Sequence, residues 1–172
     1  MNQPRGPSAD RTSLEVVEEY LRCVREGDRE SLRDVLSAHV EVRYFGPHEA
    51  LPWIGTFRGL RGFDQFARLV IEHLEILESA EIERIVEGDR VVIVGRGRWR
   101  VRRTGKELRA RALTIYGIER GRIASYHIYT DTASFVAAFN PAPGRSHPGP
   151  ESGPESGPES DRVDTASAGS SE

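Results

Sequence analysis

The chain lacks features that several classes of protein require. It holds one cysteine, Cys23, so no intrachain disulfide can form and no cysteine-rich metal site is possible. No segment approaches the roughly 20 apolar residues of a membrane span, and the N-terminal residues lack the apolar core of a secretion signal. A net charge of −3 gives no electrostatic case for nucleic acid as the main partner. We therefore expect a cytoplasmic protein with neither a membrane nor a nucleic-acid partner.

Motifs for metals and phosphates are also missing. The sequence has no glycine-rich phosphate loop, and no His/Asp/Glu cluster has convincing metal-ligand spacing. We predict neither a metal nor a cofactor. Cys23 falls within a helical apolar stripe, where a buried inert thiol is a simpler interpretation than a nucleophile.

The two ends of the chain differ in composition from its middle. Residues 1–11 are polar, and beyond residue 140 a Gly-Pro-Glu-Ser repeat replaces almost all large apolar residues. We predict a disordered N-terminus over residues 1–11, one domain over residues 12–140 and a disordered acidic tail over residues 141–172.

Helical spacing of apolar residues predicts three helices in the first half of the domain. The first begins near Thr12 and ends at Gly27, the second covers about residues 29–37, and the third runs over about residues 61–77. Residues 51–59 are apolar and aromatic but contain proline and glycine, which is typical of a covering loop.

Alternating residues predict an early strand at about residues 40–45 and four later strands. These later strands cover about residues 78–87, 90–103, 107–118 and 122–131. Helices followed by consecutive antiparallel strands indicate an α+β fold. We expect a conical α+β barrel, with three N-terminal helices packed on a strongly curved, mainly antiparallel sheet around a small-molecule hollow.

The last two predicted strands form a hairpin that supplies one wall of this hollow. A three-residue turn ending in Gly121 pairs Thr114 with Tyr126 and Ala112 with Ile128. The face that carries these four residues is small, apolar and hydroxyl-bearing, which suits a pocket wall. A shift of one residue would exchange the two faces.

The opposite face of the hairpin carries His127 and Asp131. Histidine and aspartate are an attractive acid-base pair, but four residues along a strand separate them by about 13 Å. In this register both point away from the hollow, and Arg109 lies opposite Asp131 as its expected partner.

Three segments resemble the SnoaL-like, or nuclear transport factor 2-like, superfamily, which includes ketosteroid isomerases, polyketide cyclases and limonene epoxide hydrolase. They are Tyr20–Asp28 on the first helix, Leu51–Gly59 before the third, and Gly121–Thr132 at the end. The resemblance covers about residues 13–139. It identifies the fold well but the reaction poorly, because this fold hosts many activities.

Few of the positions that match the family's catalytic residues carry the same chemical groups in this chain. Tyr20 matches the ketosteroid isomerase tyrosine that stabilises a dienolate oxygen. The position of the proton-moving carboxylate falls on Tyr44, and that of the late-strand aspartic acid falls near Leu113 or Thr114. The polar residues of the epoxide hydrolase fall on glycines or on an isoleucine: about Gly95, Gly97 and Ile128.

Tyr20, Tyr44 and His73 are the candidate catalytic residues, and His127 and Asp131 join them only if the hairpin register is reversed. The predicted pocket residues are aromatic, small or apolar: Trp53, Phe57, Trp99, Ala112, Thr114, Tyr116, Tyr126 and Ile128. A tyrosine with a pKa near 10 is a good neutral donor to a carbonyl and a poor base. The simpler alternative is that each phenol caps a core aromatic.

The other face of the predicted sheet is rich in arginine. Seven arginines fall on or beside it: Arg96, Arg98, Arg100, Arg102, Arg103, Arg109 and Arg111. Direct arginine neighbours repel unless carboxylates lie between them, and Glu81, Glu83 or a second copy of the chain can supply these. We predict a salt-bridged exposed face or a homodimer interface, with an anion-binding surface as the weaker alternative.

Two functional hypotheses follow, both with a small apolar molecule as partner. The first is an isomerase, cyclase or dehydratase acting on an apolar carbonyl compound, with Tyr20 as oxyanion donor. The alternative is a non-catalytic ligand-binding or dimerisation module that has lost its acid-base residues. The arginine-rich face as a surface for an acidic partner is a third, weaker interpretation.

Overall fold

A computed structural model describes residues 11–47 and 49–140. The predicted acidic tail, and the predicted N-terminus apart from Arg11, lie outside these residues. The four helices of the described part are α1 (Ser13–Glu26), α2 (Arg29–Val35), α3 (Gly59–His73) and α4 (Thr132–Phe139). Its strands are β1 (Leu36–Tyr44), β2 (Gly55–Arg58), β3 (Leu74–Glu87), β4 (Arg90–Val101), β5 (Glu107–Glu119) and β6 (Arg122–Thr130).

The six strands form one curled sheet in the order β2-β1-β6-β5-β4-β3. Every neighbouring pair is antiparallel except β1 and β6, which run parallel. The α+β prediction is confirmed, with the correction that the sheet is not closed into a barrel, because β2 and β3 remain as its two edges.

Local capping explains where the first helix begins and ends. The Thr12 side chain accepts from the Glu15 backbone N–H while the Glu15 carboxylate accepts from the Thr12 backbone N–H, which satisfies two amides that the helix cannot pair itself. Gly27 closes the helix with a left-handed φ of 70°, a conformation that glycine adopts without steric cost. The predicted ends of α1 agree with these caps.

Two sequence predictions in the middle of the chain were wrong. The third helix ends at His73 and not near residue 77, because Leu74 and Ile76 pair with β4 and continue as strand. The predicted loop at residues 51–59 contains β2, whose four residues pair with the end of β1. In both places a pairing distant in sequence overrides the local pattern.

The closing hairpin keeps the predicted faces but not the predicted pairing. Its turn has two residues, Arg120 and Gly121, both with positive φ, so Glu119 pairs with Arg122. A bulge then shifts the pairing again between Gly117 and Ile118. The partner of Thr114 is therefore Ile128, and that of Ala112 is Thr130.

The hydrophobic core lies between the concave face of the sheet and the helices α1, α3 and α4. Val16 and Val17 of α1, Phe63 and Phe66 of α3 and Phe135 of α4 are buried there. No helix in residues 11–47 and 49–140 is long and apolar enough to cross a membrane.

Candidate functional site

A cavity of about 1410 Å³ opens between the concave face of the sheet and the helices α1, α2 and α3, and we call it the main cavity. Its inner wall is aromatic, apolar and hydroxyl-bearing: Tyr20, Tyr44, Trp53, Phe66, Trp99, Ala112, Thr114, Tyr126, Ile128 and Thr130. None of the described core residues is charged. The main cavity therefore suits an apolar molecule with a few hydrogen-bonding atoms.

Three tyrosines form a cluster at one end of this wall. Tyr116 and Tyr126 face each other across β5 and β6, and their rings stack with centroids 5.1 Å apart. Tyr20 reaches them from α1, 5.6 Å from Tyr116 and 5.7 Å from Tyr126. Tyr20 and Tyr126 line the main cavity, whereas Tyr116 packs against both without lining it.

Burial sets the protonation of this cluster. It raises the pKa of Tyr20 and of Tyr116 well above the ordinary value, and neighbouring phenols raise both further. Burial also raises the pKa of Tyr126, but the hydroxyls of Tyr20 and Tyr116 favour its phenolate and oppose that rise. All three phenols are therefore neutral near pH 7 and can donate a hydrogen bond.

A second polar group lies at the β1 side of the wall. The hydroxyls of Tyr44 and Thr130 are 2.8 Å apart, and burial raises the pKa of Tyr44. The Trp53 indole N–H is near enough to favour the Tyr44 phenolate, yet it is buried without a well-formed hydrogen bond in the described part of the chain. A buried donor without a partner costs about 1–3 kcal/mol, so a small shift of Trp53 toward the Tyr44 hydroxyl would stabilise the fold.

Small residues face one another on the cavity side of β4 and β5. Gly95 faces Ala112 and Gly97 faces Ala110 across β4 and β5. A Cβ on Gly97 would lie 2.5 Å from the Trp99 ring, so Trp99 occupies the space that a larger residue would need. The predicted wall residue Phe57 also lines the main cavity, from β2.

The predicted histidines lie away from the main cavity. The ring of His73 packs 6.0 Å from that of Trp53 and 5.6 Å from that of Phe139, and it is not a lining residue. His127 lies on the other face of β6, with its Nε2 3.9 Å from a Glu41 carboxylate oxygen. Neither is brought beside the tyrosines.

Asp131 caps α4 instead of pairing with an arginine. Its carboxylate accepts from the Ser134 backbone N–H at 3.4 Å and from the Ser134 hydroxyl, and these bonds lower its pKa. The expected pair with Arg109 was wrong, because the β5–β6 pairing ends at Ala112 and Thr130 in a register shifted by two residues, so Asp131 does not fall opposite Arg109. Across its other edge, β5 places Arg109 opposite Arg98 of β4.

The face of the sheet opposite the main cavity carries the arginines, and we call it the outer face. Arg96 faces Arg111 and Arg98 faces Arg109 across β4 and β5. In the described part of the chain, a carboxylate lies beside only one of these four arginines and its neighbour on β4: Glu107 is 3.0 Å from Arg98 and 2.7 Å from Arg100. Glu81, expected to serve this role, instead pairs with Arg84 at 2.7 Å.

Two groups of the site could not be found from the sequence alone. Alternation along the last strand places Thr130 on the same face as Tyr126 and Ile128, but its bond to Tyr44 depends on the parallel pairing of β1 with β6. Phe66 is a lining residue that helical periodicity marks only as core. No group of three or more His, Cys, Asp or Glu side chains in the described residues could hold a metal ion.

This fold agrees with the family that the sequence matches. Residues 17–126 match the SnoaL-like domain, and the chain belongs to that family. None of the curated proteins matches the chain.

Solved structures share the fold at low sequence identity. A nuclear transport factor 2-like protein from Burkholderia xenovorans is 23% identical, with a TM-score of 0.69 over 76% of this chain and 98% of that chain. One from Burkholderia thailandensis is 22% identical, with a TM-score of 0.68 over 76% and 99%. TerC, co-crystallised with polyporic acid, is 21% identical, with a TM-score of 0.65 over 74% and 97%. At these identities the likeness supports the fold alone.

Proposed function

We propose that the chain is an enzyme of the isomerase, cyclase or dehydratase kind that acts on a small apolar carbonyl compound in the cytoplasm. The observation that carries this proposal is the set of neutral phenol donors around an apolar interior, namely Tyr20, Tyr44 and Tyr126. Donors aimed at an oxygen that gains charge are the largest single source of catalysis in many enzymes. TerC, with polyporic acid, gives a precedent for a bound small molecule in this fold.

In this proposal the phenols hold the substrate oxygen and water moves the proton. Tyr126 donates to the carbonyl oxygen, and Tyr20 turns its single O–H from Tyr126 to the same oxygen. That oxygen becomes an enolate oxygen when a neighbouring carbon loses its proton to water. The opening of the cavity admits that water, since Ile71 at its lining is 59% exposed. Return of a proton to a second carbon completes an isomerisation without any net change in atoms.

The alternative is a non-catalytic ligand-binding or dimerisation module, and the same cavity supplies the observation in its favour. The carboxylates that line it, Asp64 and Glu72, are both exposed, and no histidine of the described residues lines it. None of these lining side chains can therefore act as a general base beside the buried phenols. Such a module would bind the same apolar compounds and leave them unchanged.

Binding and turnover measured together distinguish the two functions. Hydrophobic ketones and polyketides are added to the purified protein, and melting temperature and product are both followed. For the enzyme, we expect Tyr20→Phe to lower kcat by about 100-fold while ligand still raises the melting temperature. Tyr129→Phe, at an exposed tyrosine outside the main cavity, is the matched control. Stabilisation without turnover supports the binding module, and no response contradicts both.

A homodimer through the outer face is a further part of the proposal. Beside its arginines this face carries half-buried apolar side chains on the two central strands: Val92, Val94, Leu113 and Ile115. An apolar patch bordered by charge is typical of an interface between copies.

A further inference from the structure

The opening of the main cavity differs in charge from the rest of the molecule. The whole chain has a net charge of −3. Five exposed arginines line the cavity at its opening: Arg29, Arg33, Arg58, Arg61 and Arg68. The lining carboxylates are two, Asp64 and Glu72. The opening is therefore positive in a protein that is negative overall, and we call these arginines the basic rim.

Only part of the basic rim is neutralised by the protein itself. Arg33 lies 2.9 Å from the Asp64 carboxylate and Arg58 lies 3.0 Å from that of Glu41. The other three members make no ion pair with any side chain of residues 11–47 and 49–140: Arg29, Arg61 and Arg68. Three free cations thus remain, with Glu72 as the one carboxylate left among the lining residues.

The free arginines lie on two helices at the opening. Arg61 and Arg68 are seven residues apart on α3, which places them on the same helix face about 10 Å apart along its axis. Arg29 begins α2, the helix that the Arg33–Asp64 pair joins to α3. Arginines of both helices therefore line the same opening.

Apolar side chains line the same cavity and remain exposed. Val24 on α1 is 49% exposed, Ile71 on α3 is 59% exposed and Ile76 on β3 is 60% exposed. An apolar ligand that extends outward would cover these side chains, and removing apolar surface from water favours binding. The lining therefore combines buried tyrosines, exposed aliphatic residues and exposed arginines.

We propose that the ligand of the main cavity is an amphipathic anion. Its apolar, carbonyl-bearing body lies among the buried aromatic residues, and its carboxylate or phosphate stays at the opening with Arg29, Arg61 and Arg68. Arginine suits this role because its fork of N–H donors matches the oxygens of either anion. This inference rests on the proposed function, since it takes the apolar carbonyl compound as given and adds the charged end.

A matched pair of ligands tests the charged end alone. A naphthyl ketone with an alkyl carboxylic acid chain and its methyl ester share the same body and differ by the charge. Binding of each to the full chain is measured by titration calorimetry at low and high salt. We expect the acid to bind about tenfold more tightly than the ester at low salt, and this preference to shrink as salt screens the rim.

Substituting the free arginines of the basic rim distinguishes the effect of their charge from binding by the apolar part of the cavity. In the triple variant Arg29→Gln, Arg61→Gln and Arg68→Gln, the preference for the acid should disappear while the affinity for the ester is unchanged. Arg25→Gln is the matched control, because Arg25 is an exposed helical arginine that does not line the cavity. Circular dichroism checks that each variant is folded.

The possible results have different meanings for the two proposals. Equal binding of acid and ester to the unmodified chain would overturn the amphipathic anion and leave the apolar cavity intact. A preference for the acid that persists in the triple variant would overturn the assignment to these arginines. Failure of both ligands to bind would contradict the proposed function and this inference with it.

Discussion

The hydroxyl of Tyr44 lies 2.8 Å from the hydroxyl of Thr130, although the two residues are 86 positions apart in the chain. Tyr44 is at the end of β1 and pairs with Ile128 of β6, the parallel neighbour, which leaves Thr130 two residues further on the same face. This side-chain hydrogen bond thus joins β1 to β6 at the wall of the main cavity.

A double-mutant cycle measures what this hydrogen bond contributes. We expect Tyr44→Phe and Thr130→Val to be coupled by about 0.5–1.5 kcal/mol in the free energy of unfolding, because each removes the same bond. Urea denaturation of the four proteins gives the coupling. The control cycle combines Tyr44→Phe with Thr114→Val, another lining threonine, and should give a coupling near zero. Equal couplings in the two cycles would show that the bond adds nothing specific.

Gly97 should be the less replaceable of the two glycines on the cavity side of β4. Alanine at Gly97 would put a Cβ 2.5 Å from the Trp99 ring, whereas at Gly95 the nearest atom is the Ala80 carbonyl oxygen at 3.4 Å. We expect Gly97→Ala to destabilise the fold by about 1–3 kcal/mol, as overpacking does, and to shift the tryptophan fluorescence. Gly95→Ala should cost clearly less. The reverse order would mean that Trp99 does not occupy this space.

The raised pKa values of the cavity tyrosines predict how stability depends on alkaline pH. The folded-state pKa of Tyr20, Tyr44, Tyr116 and Tyr126 exceeds the unfolded value. The folded chain therefore binds more protons than the unfolded chain above pH 10 or so, and stability falls as pH rises beyond about 10. Below that pH the contribution is fully present.

Ultraviolet absorbance of phenolate checks this prediction. We expect these four tyrosines to ionise in one cooperative step, together with loss of the circular dichroism signal, as the fold is lost. In guanidinium-unfolded protein all five tyrosines of the chain should titrate gradually, near pH 10. Gradual ionisation of several tyrosines while the fold is intact would contradict the raised pKa values.

The closing hairpin shows why the faces of the sheet could be predicted when its pairing could not. Alternation in the sequence assigned Thr114 and Tyr126 to one face and His127 to the other, and side chains alternate whatever the partner strand does. The pairing depended on a turn and a bulge, each of which moved the register by one residue. Together they moved the register by two residues, which is one full period of a strand. Each side chain therefore kept its face of the sheet although its partner changed.

The sequence was less informative wherever pairing between segments distant in the chain determines the structure. The helix pattern continues through Leu74 and Leu77, but pairing with β4 ends α3 at His73. Of the candidate residues that periodicity and the family resemblance indicated, Tyr20, Tyr44 and Tyr126 line the main cavity, and their role there stays a prediction. The Thr130 partner depends on a parallel contact between the first and last long strands, which no local pattern encodes.

The outer face should be where two copies of the chain meet. We expect Leu113→Glu to convert a dimer into a monomer, since a carboxylate among half-buried apolar residues would lose its hydration on association. Analytical ultracentrifugation measures the mass. Arg120→Glu, at the hairpin turn, is the control and should leave the dimer intact. Because Leu113 and the adjacent lining residue Thr114 point to opposite faces, the Leu113→Glu monomer should still bind ligand. A monomeric unmodified chain, or a Leu113→Glu dimer, would exclude this interface.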